Sequence, residues 1–344
     1  MSKQFDVVIG NPPYQEEAQG AGTRDTPVYH LFMDAAYEVG KKVVLITPAR
    51  FLFNAGFTPK AWNEKMLADP RISVSHYVPN SNDLFPGTDI MGGIAVTYRD
   101  SDATGEPIGT FTKYPELNDI LHKVLASSRN SLEKTRITSS RSYRYTDELY
   151  RDHPDALALR PEGNAALVNT NAFEQFSFLY YETKPSDGQD YVQVLGLIKN
   201  RRVYRWIRSD YITGPESFGA YKVAVPASNG STSLGGIGDP VIAEPNVAVT
   251  QTFITIGCFK DESDAAACLK YVKSKFARTL LGVLKITQHN PAKVWKYVPL
   301  QDFTSESDID WTKSIPEIDQ QLYAKYKLDD SEIAFIEEHV APMT

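Results

Sequence analysis

The stretch Phe5–Tyr14, FDVVIGNPPY, joins a short apolar run to a rigid turn. The run Phe5–Gly10 has the length and the β-branched content of a buried strand, and its glycine is followed at once by turn-forming residues. Two consecutive prolines, Pro12 and Pro13, remove two backbone donors and stiffen that turn. We therefore expect a strand whose carboxyl end holds the Asn11 side chain and a backbone carbonyl at the rim of a crevice.

Such a turn suits the recognition of a planar amino group. Asn11 Oδ1 and the Pro12 carbonyl can both accept hydrogen bonds from one NH₂ group, while Tyr14 can stack on the ring that bears it. The turn residues Asn11, Pro12, Pro13 and Tyr14 are accordingly the predicted catalytic residues. A tight turn without any chemical role is the alternative interpretation.

The sequence after this turn predicts an α/β fold. A helix is expected over 27–39, a second buried strand over 42–47, and two further strands over 72–78 and 93–99. The first two strands are separated by a crossover helix and should be parallel, whereas the last two flank a loop and can pair antiparallel. This pattern is typical of the C-terminal half of a doubly wound sheet, with parallel strands plus one antiparallel strand.

A strand followed by NPPY resembles motif IV of the amino-group methyltransferases that use S-adenosylmethionine. Over roughly residues 5–100, the order of strands, helix and Phe-Pro loop is similar to the catalytic domain of adenine-N6 DNA methyltransferases, especially the Eco57I-like and TaqI-like groups. The resemblance implies that Asn11 and Pro12 bind the N6 atom of an extruded adenine. It also implies that Tyr14 stacks on the base and that Phe85 packs on its other side. A core aromatic at the base of a loop is an equally good interpretation of Phe85.

The sequence departs from that family upstream of the motif. Only ten residues precede Asn11, and they contain no glycine-rich loop for the methionine and ribose moieties of the cofactor. The glycine-rich segment 230–238 lacks a following helix and is interpreted as a loop. The run FDVVIG should then form an exposed apolar edge. We expect a companion subunit to supply the missing strands, or else a truncated chain that covers this edge by self-association.

The later sequence predicts two further regions. Residues 109–305 alternate short β-rich runs with turns and resemble a mixed α+β target-recognition domain, and residues 306–344 form a helical tail. One long helix is expected over 264–284. If the region binds double-stranded DNA, lysines and arginines contact phosphates, while two arginines and two amides read bases. The predicted DNA-binding residues are Arg201, Arg202, Lys273, Lys275, Arg278, Lys285, Gln288 and Asn290.

Composition narrows the class of protein further. The formal charge of -7 argues against an indiscriminate polyanion binder, although it can hide local basic patches. Neither a signal peptide nor an apolar run of membrane-spanning length is present, so a cytoplasmic protein is expected. The two cysteines have no partners at metal-ligand spacing, and no metal site is predicted. A nuclease-like pattern, Asp155 with Glu182 and Lys184, is short, and an exposed loop and an ion pair explain it better.

Three hypotheses remain open at this point. The chain is an adenine-N6 DNA methyltransferase component of a restriction-modification system that needs a partner to complete its S-adenosylmethionine site, which we favour. Alternatively it is a DNA-binding specificity subunit without its own catalysis. A protein-glutamine N5-methyltransferase would share NPPY and its logic for a planar amide, but the long C-terminal region disfavours it.

Overall fold

The computed structural model describes residues 4–16, 26–54, 57–90, 92–112, 114–159, 166–229, 233–285 and 288–343. Two compact units make up the chain, Met1–Asn118 and Asp119–Thr344, and each is described by itself. The boundary predicted at residue 108 lies within the first unit, and the predicted tail 306–344 lies within the second.

The first unit contains six strands and two helices among its described residues, followed by a helix, α3, that begins near its end. The strands are β1 (Phe5–Gly10), β2 (Gln15–Glu16), β3 (Thr26–Pro27), β4 (Gly40–Pro48), β5 (Ile72–Val78) and β6 (Ile94–Asp100). The helices are α1 (Tyr29–Val39), α2 (Lys60–Ala68) and α3 (Pro115–Ser127). The predicted helix over 27–39 is therefore correct apart from its first two residues.

The main sheet of the first unit has the strand order β1-β4-β6-β5. Strand β1 pairs with β4 in parallel, and β6 pairs antiparallel with both β4 and β5. Three strands thus run in one direction and only β6 is reversed, as predicted. Because of these directions, the carboxyl ends of β1, β4 and β5 lie at the same sheet edge as the beginning of β6. That edge is where the loops after Gly10, Pro48 and Val78 meet.

One face of this sheet carries the core of the unit. Val8, Val43 and Leu45 point to a cluster that contains side chains of both α1 and α2. Strand residues alternate between faces, and on β1 the other face carries large apolar side chains. Phe5, Val7 and Ile9 are 54%, 53% and 76% exposed. Strand β1 is also the edge strand of the described sheet. The predicted exposed apolar edge is confirmed, whereas a doubly wound arrangement, which needs helices on both faces, stays a prediction.

The second unit is a mixed α+β structure. Its strands are β7 (Ile137–Thr138), β8 (Arg144–Tyr145), β9 (Tyr191–Ile198), β10 (Arg201–Arg208), β11 (Ile212–Thr213), β12 (Tyr221–Pro226), β13 (Val241–Ala243), β14 (Val247–Val249) and β15 (Phe253–Phe259). Its helices are α4 (Leu132–Thr135), α5 (Asp147–Asp152), α6 (Ala172–Gln175), α7 (Glu262–Lys273), α8 (Lys275–Gly282), α9 (Ile315–Lys325) and α10 (Asp330–His339).

The larger sheets of the second unit have the orders β10-β9-β14 and β13-β12-β15-β7. The prediction of a single helix over 264–284 is wrong, because α7 ends before Ser274 and α8 begins after it. Ser274 has extended backbone angles, and its side chain accepts a hydrogen bond from the Ala277 backbone N–H, which caps α8. The periodicity of the two helices is continuous enough to hide this break in the sequence.

No helix in the described part of the chain is long and apolar enough to cross a membrane.

Candidate functional site

A cavity of about 650 Å³ opens at the sheet edge where β1 and β4 end. All four residues of the NPPY turn line it, which places the predicted catalytic residues together at the carboxyl end of β1. Parallel strands commonly present ligand-binding loops at this end of a sheet. The remaining lining residues are Gln15, Pro27, Tyr29, Pro48, Arg50, Phe57, Asp89 and Ile90.

The turn is held to the unit by a short ladder. Strands β2 and β3 pair directly after it, and the Val28 backbone N–H donates to the Tyr14 carbonyl at 3.1 Å. Asn11 is exposed and so has an accessible side chain, while Pro12 and Tyr14 are half-buried. The turn therefore offers acceptor groups to the cavity from a backbone that is fixed on both sides.

The Tyr14 hydroxyl is a buried polar group close to the Asn11 side chain. It is buried, and no hydrogen bond of good geometry reaches it from the described residues. Burial raises the pKa of Tyr14, and the nearby Asn11 side chain offsets part of that increase. The hydroxyl accordingly stays protonated at neutral pH and can donate. Its ring and its donor both belong to the wall that NPPY forms.

The opposite walls come from residues that sequence reasoning missed. Pro48 ends β4 and Arg50 lies in the 3₁₀ helix Ala49–Phe53, so both follow the strand that neighbours β1. This adjacency is the signal that could have found them, because parallel neighbours end at the same edge. Tyr29, at the beginning of α1, is almost fully buried, and burial raises the pKa of its hydroxyl, with Thr58 and Arg50 lowering it in part.

Phe57 is the exposed aromatic side chain of this cavity. It is 64% exposed although it is large and apolar. The chain just beyond it is anchored, since Thr58 Oγ1 donates to Asn63 Oδ1 at 2.7 Å and Trp62 Nε1 donates to Asp34 Oδ2 at 3.0 Å. An exposed aromatic ring on an anchored segment is suited to stacking on a planar ligand.

Phe85 lies in the loop between β5 and β6 but is not among the residues that line the cavity. Its backbone N–H donates to the Ser81 carbonyl at 2.8 Å, and its own carbonyl accepts from Thr88 Oγ1 at 2.7 Å. Asp89 and Ile90, a few residues further along the same loop, do line the cavity. The stacking role of Phe85 therefore stays a prediction.

The turn at the end of this loop depends on Gly93. Its φ is +80°, and a Cβ atom there would lie 2.3 Å from the Val78 carbonyl oxygen. The Gly93 carbonyl accepts a hydrogen bond of 2.9 Å from the Ala49 backbone N–H. Glycine thus allows the loop to approach the end of β5 closely while its carbonyl is bonded to the residue that follows β4.

The predicted DNA-binding residues of the second unit fall into two groups. Four of them are engaged inside the unit. Arg278 is 3% exposed and donates to the carbonyls of Lys273 and Ala341, and Asn290 is 1% exposed and donates to the Pro226 carbonyl at 3.0 Å. Lys275 pairs with Glu337 at 2.6 Å. Lys285 donates to Asn229 Oδ1 at 2.9 Å.

The prediction that Arg278 and Asn290 contact DNA is therefore wrong, because both side chains are buried and cannot reach DNA. Of the other four, Arg201, Arg202 and Gln288 are exposed. Lys273 keeps 13% of its side chain exposed, and its ammonium group is bound to Asp239.

Two residues of the nuclease-like pattern contact neighbouring side chains of the second unit. Glu182 pairs with Arg205 at 2.8 Å, and Lys184 lies over the Trp206 ring at 5.6 Å. Across the described residues, no three or more histidine, cysteine, aspartate or glutamate side chains are grouped so that they could hold a metal ion.

The lining of the cavity offers groups suited to a planar ligand that forms hydrogen bonds. The cavity is lined by amide, aromatic and proline groups together with Arg50 and Asp89, and among the described residues of the first unit no glycine-rich loop that opens a helix follows a parallel strand. The segment 230–238 lies in the second unit, where residues 233–238 lead into β13 and residues 230–232 lie outside the described residues.

Comparisons with known proteins give a family match that lies within the first unit. Residues 1–85 match the model of the Eco57I restriction-modification methylase family. An uncharacterized adenine-specific methylase of Mycoplasma pneumoniae is 30% identical over 95 residues, which are 26% of this chain and 22% of that protein. The N-terminal part of the chain is thus similar to Eco57I restriction-modification methylases, as the sequence predicted.

Solved structures of restriction-modification enzymes are also similar at low levels. The type IIG restriction endonuclease BpuSI has a TM-score of 0.33 and 10% identity, over 97% of this chain and 53% of that one. The type IIL restriction-modification enzyme MmeI in complex with DNA has a TM-score of 0.32 and 9% identity, over 97% of this chain and 56% of that one. The chain spans little more than half of these enzymes and about a fifth of the curated relative.

Proposed function

We propose that this chain is the methyl-accepting and target-recognising part of a site-specific adenine-N6 DNA methyltransferase of a restriction-modification system. The observation that carries the proposal is the cavity that the whole NPPY turn lines together with Tyr29, Arg50 and Phe57. The match of residues 1–85 to a restriction-modification methylase family supports it. The second unit would then bind the DNA that surrounds the target base.

The chemistry follows from what the turn can accept and what the walls can hold. Asn11 Oδ1 and the Pro12 carbonyl accept the two hydrogens of an exocyclic amino group, which directs its nitrogen lone pair away from the turn. As the nitrogen becomes positively charged on methylation, the same two dipoles stabilise it. Tyr14 and Phe57 are the aromatic groups available to stack on an adenine that has left the duplex.

S-adenosylmethionine supplies an electrophilic methyl group when it is bound. We propose that its methionine and ribose contacts come from strands beside β1, because β1 is an apolar edge strand with three exposed large side chains on one face. A companion polypeptide that adds strands there would pair the edge, and an element packed on the sheet would cover that face. Self-association through β1 is the other way to bury them.

The proposal is tested by methylation of a duplex library with the chain reconstituted with its strand-supplying companion. We expect Asn11→Ala to lower the rate at least 100-fold, since about 10²–10³ is typical for losing one group that stabilises developing charge. Asn11→Asp keeps an acceptor oxygen and is expected to retain part of the rate.

Mass spectrometry of the products identifies the methylated group. N6-methyladenine supports the proposal, whereas methylated glutamine in protein with unmodified DNA would establish the alternative substrate. Full activity of Asn11→Ala would contradict the proposed site. Sequence-dependent duplex binding without any methylation would indicate a specificity subunit instead.

A further inference from the structure

Two basic segments that are far apart in the sequence meet at one carboxylate in the second unit. Arg202, in β10, donates to Asp239 Oδ2 at 2.5 Å. Lys273, at the end of α7, lies 3.0 Å from Asp239 Oδ1. Each oxygen of the carboxylate therefore faces a different cation, and half of the Asp239 side chain remains exposed to solvent.

The β9–β10 turn adds further positive charge next to this ion pair. Ile198 is paired with Arg201, so only Lys199 and Asn200 connect the strands, and both have positive φ angles of 48° and 61°. A two-residue turn of this kind is tight and fixes the direction of the flanking side chains. Lys199 and Arg201 are exposed beside Arg202. The turn thus presents three cations within four residues of sequence.

The segment that carries Gln288 is connected to Gly238, next to Asp239, through contacts with Pro226. Gly238, just before Asp239, packs against Pro226, whose Cγ would lie 2.7 Å from an added Cβ. The Pro226 carbonyl accepts from Asn290, and the Asn229 backbone N–H donates to the Gln288 carbonyl at 2.9 Å. An exposed amide side chain, suited to a base edge, is therefore held on a segment that is bonded to residues 226–229, against which Gly238 packs.

Asp239 remains ionised at neutral pH. Burial raises its pKa, but hydrogen bonds and charges from Arg202 and Lys273 outweigh burial and lower it. A carboxylate between a guanidinium and an ammonium group makes the charge-assisted contacts that a DNA phosphate makes with the same side chains.

We propose that Arg202 and Lys273 form a phosphate-contact site for duplex DNA, in which Asp239 holds the phosphate position in the free protein and competes with DNA for it. This inference rests on the proposed function and adds to it a carboxylate that competes with DNA for two cations. The competing carboxylate weakens binding to any DNA backbone equally. It therefore limits non-specific binding and leaves discrimination to base contacts.

The test measures affinity for a duplex of random sequence as a function of salt, with the full chain. We expect Asp239→Asn to bind roughly fivefold more tightly near 0.1 M salt, with a slope of log K against log salt steeper by about one. Arg202→Gln should bind more weakly, with a slope shallower by about one. Asp308→Asn is the matched control, since it removes an exposed carboxylate that pairs with Lys325 at 2.7 Å.

The outcomes separate this site from the proposed function. If Asp239→Asn and Asp308→Asn change affinity equally, or if Asp239→Asn weakens binding while its thermal unfolding is unchanged, the phosphate site is wrong. Loss of methylation in Asn11→Ala would leave the proposed function intact in that case. Tighter duplex binding by Asp239→Asn in a chain that never supports methylation would support the site and overturn the function. Tighter binding to single strands alone would overturn the duplex assignment.

Discussion

The NPPY turn and the basic residues of the second unit were both predicted from sequence as site residues, but only the turn residues lie together in the structure. The four turn residues line one cavity together, whereas the eight cationic and amide candidates divide between the surface and the interior. The turn is contiguous and follows a strand, so its geometry is local. The basic candidates come from separate elements, and only packing decides which of them reach solvent. A motif therefore locates a site, while a charge cluster does not.

A substitution of Arg278 should have the largest effect and tests this comparison most directly. Its side chain is buried and its guanidinium donates to backbone carbonyls, so Arg278→Ala should lower the free energy of unfolding by about 3 kcal/mol. Chemical denaturation, followed by a spectroscopic signal from the second unit, measures this change in the free energy of unfolding. Arg201→Ala, on the exposed turn, is the control and should change stability little. Equal stability of the two variants would contradict the division into structural and surface cations.

Gly93 tests how far the cavity depends on loop geometry. Gly93→Ala places a Cβ atom against the Val78 carbonyl at a positive φ, and we expect a loss of about 2 kcal/mol together with a lower methylation rate. Gly87→Ala has φ of +85° but open space around it, so only the conformational cost of about 1 kcal/mol is expected. Thermal unfolding of both variants makes the comparison. A smaller effect at Gly93 than at Gly87 would show that the close approach is unimportant.

Phe57 and Phe85 sharpen the assignment of the second stacking wall. Loss of one base-stacking ring typically costs about 1–3 kcal/mol, so Phe57→Ala should raise the KM for duplex substrate and lower the rate, while Phe85→Ala should have the smaller effect. Fluorescence of 2-aminopurine at the target position reports base extrusion independently of methyl transfer. The opposite order of effects would return the role to Phe85 and require its loop to close over the cavity.

Lys222 provides a pH-dependent test of burial in the second unit. Its ammonium group is fully buried and donates to the carbonyls of Ala220 and Glu244, both at 3.1 Å. Burial lowers the pKa of Lys222 to about 8. Between pH 8 and about 10 the unfolded chain binds more protons at this residue, so the free energy of unfolding should rise with pH, by at most about 1.4 kcal/mol per unit.

Lys222→Met removes the titrating group, and the rise between pH 8 and 10 should disappear in that variant. Denaturant unfolding at several pH values measures it. A rise of the same size in wild type and Lys222→Met would assign the effect to another group.

Sequence alone determined the strand, the turn and the order of elements in the first unit, because these features depend on short-range preferences. A β-branched run, two prolines and a crossover helix specify a parallel strand pair with a rigid turn at its carboxyl end, and β1, β4 and α1 follow that prediction. The apolar character of β1 is also visible in the sequence, and the structure shows that three of its large side chains are exposed.

Only the tertiary structure decided which residues line the cavity with the turn and which charged side chains are buried or paired. Phe57 and Arg50 join NPPY because the ends of neighbouring strands converge, which depends on sheet order rather than on local pattern. Likewise, Ser274 splits one apparent helix into two, Arg278 turns inward, and Arg202 meets Lys273 across Asp239. Contacts between residues distant in sequence carry the cost of desolvating charge, and a one-dimensional pattern contains no measure of that cost.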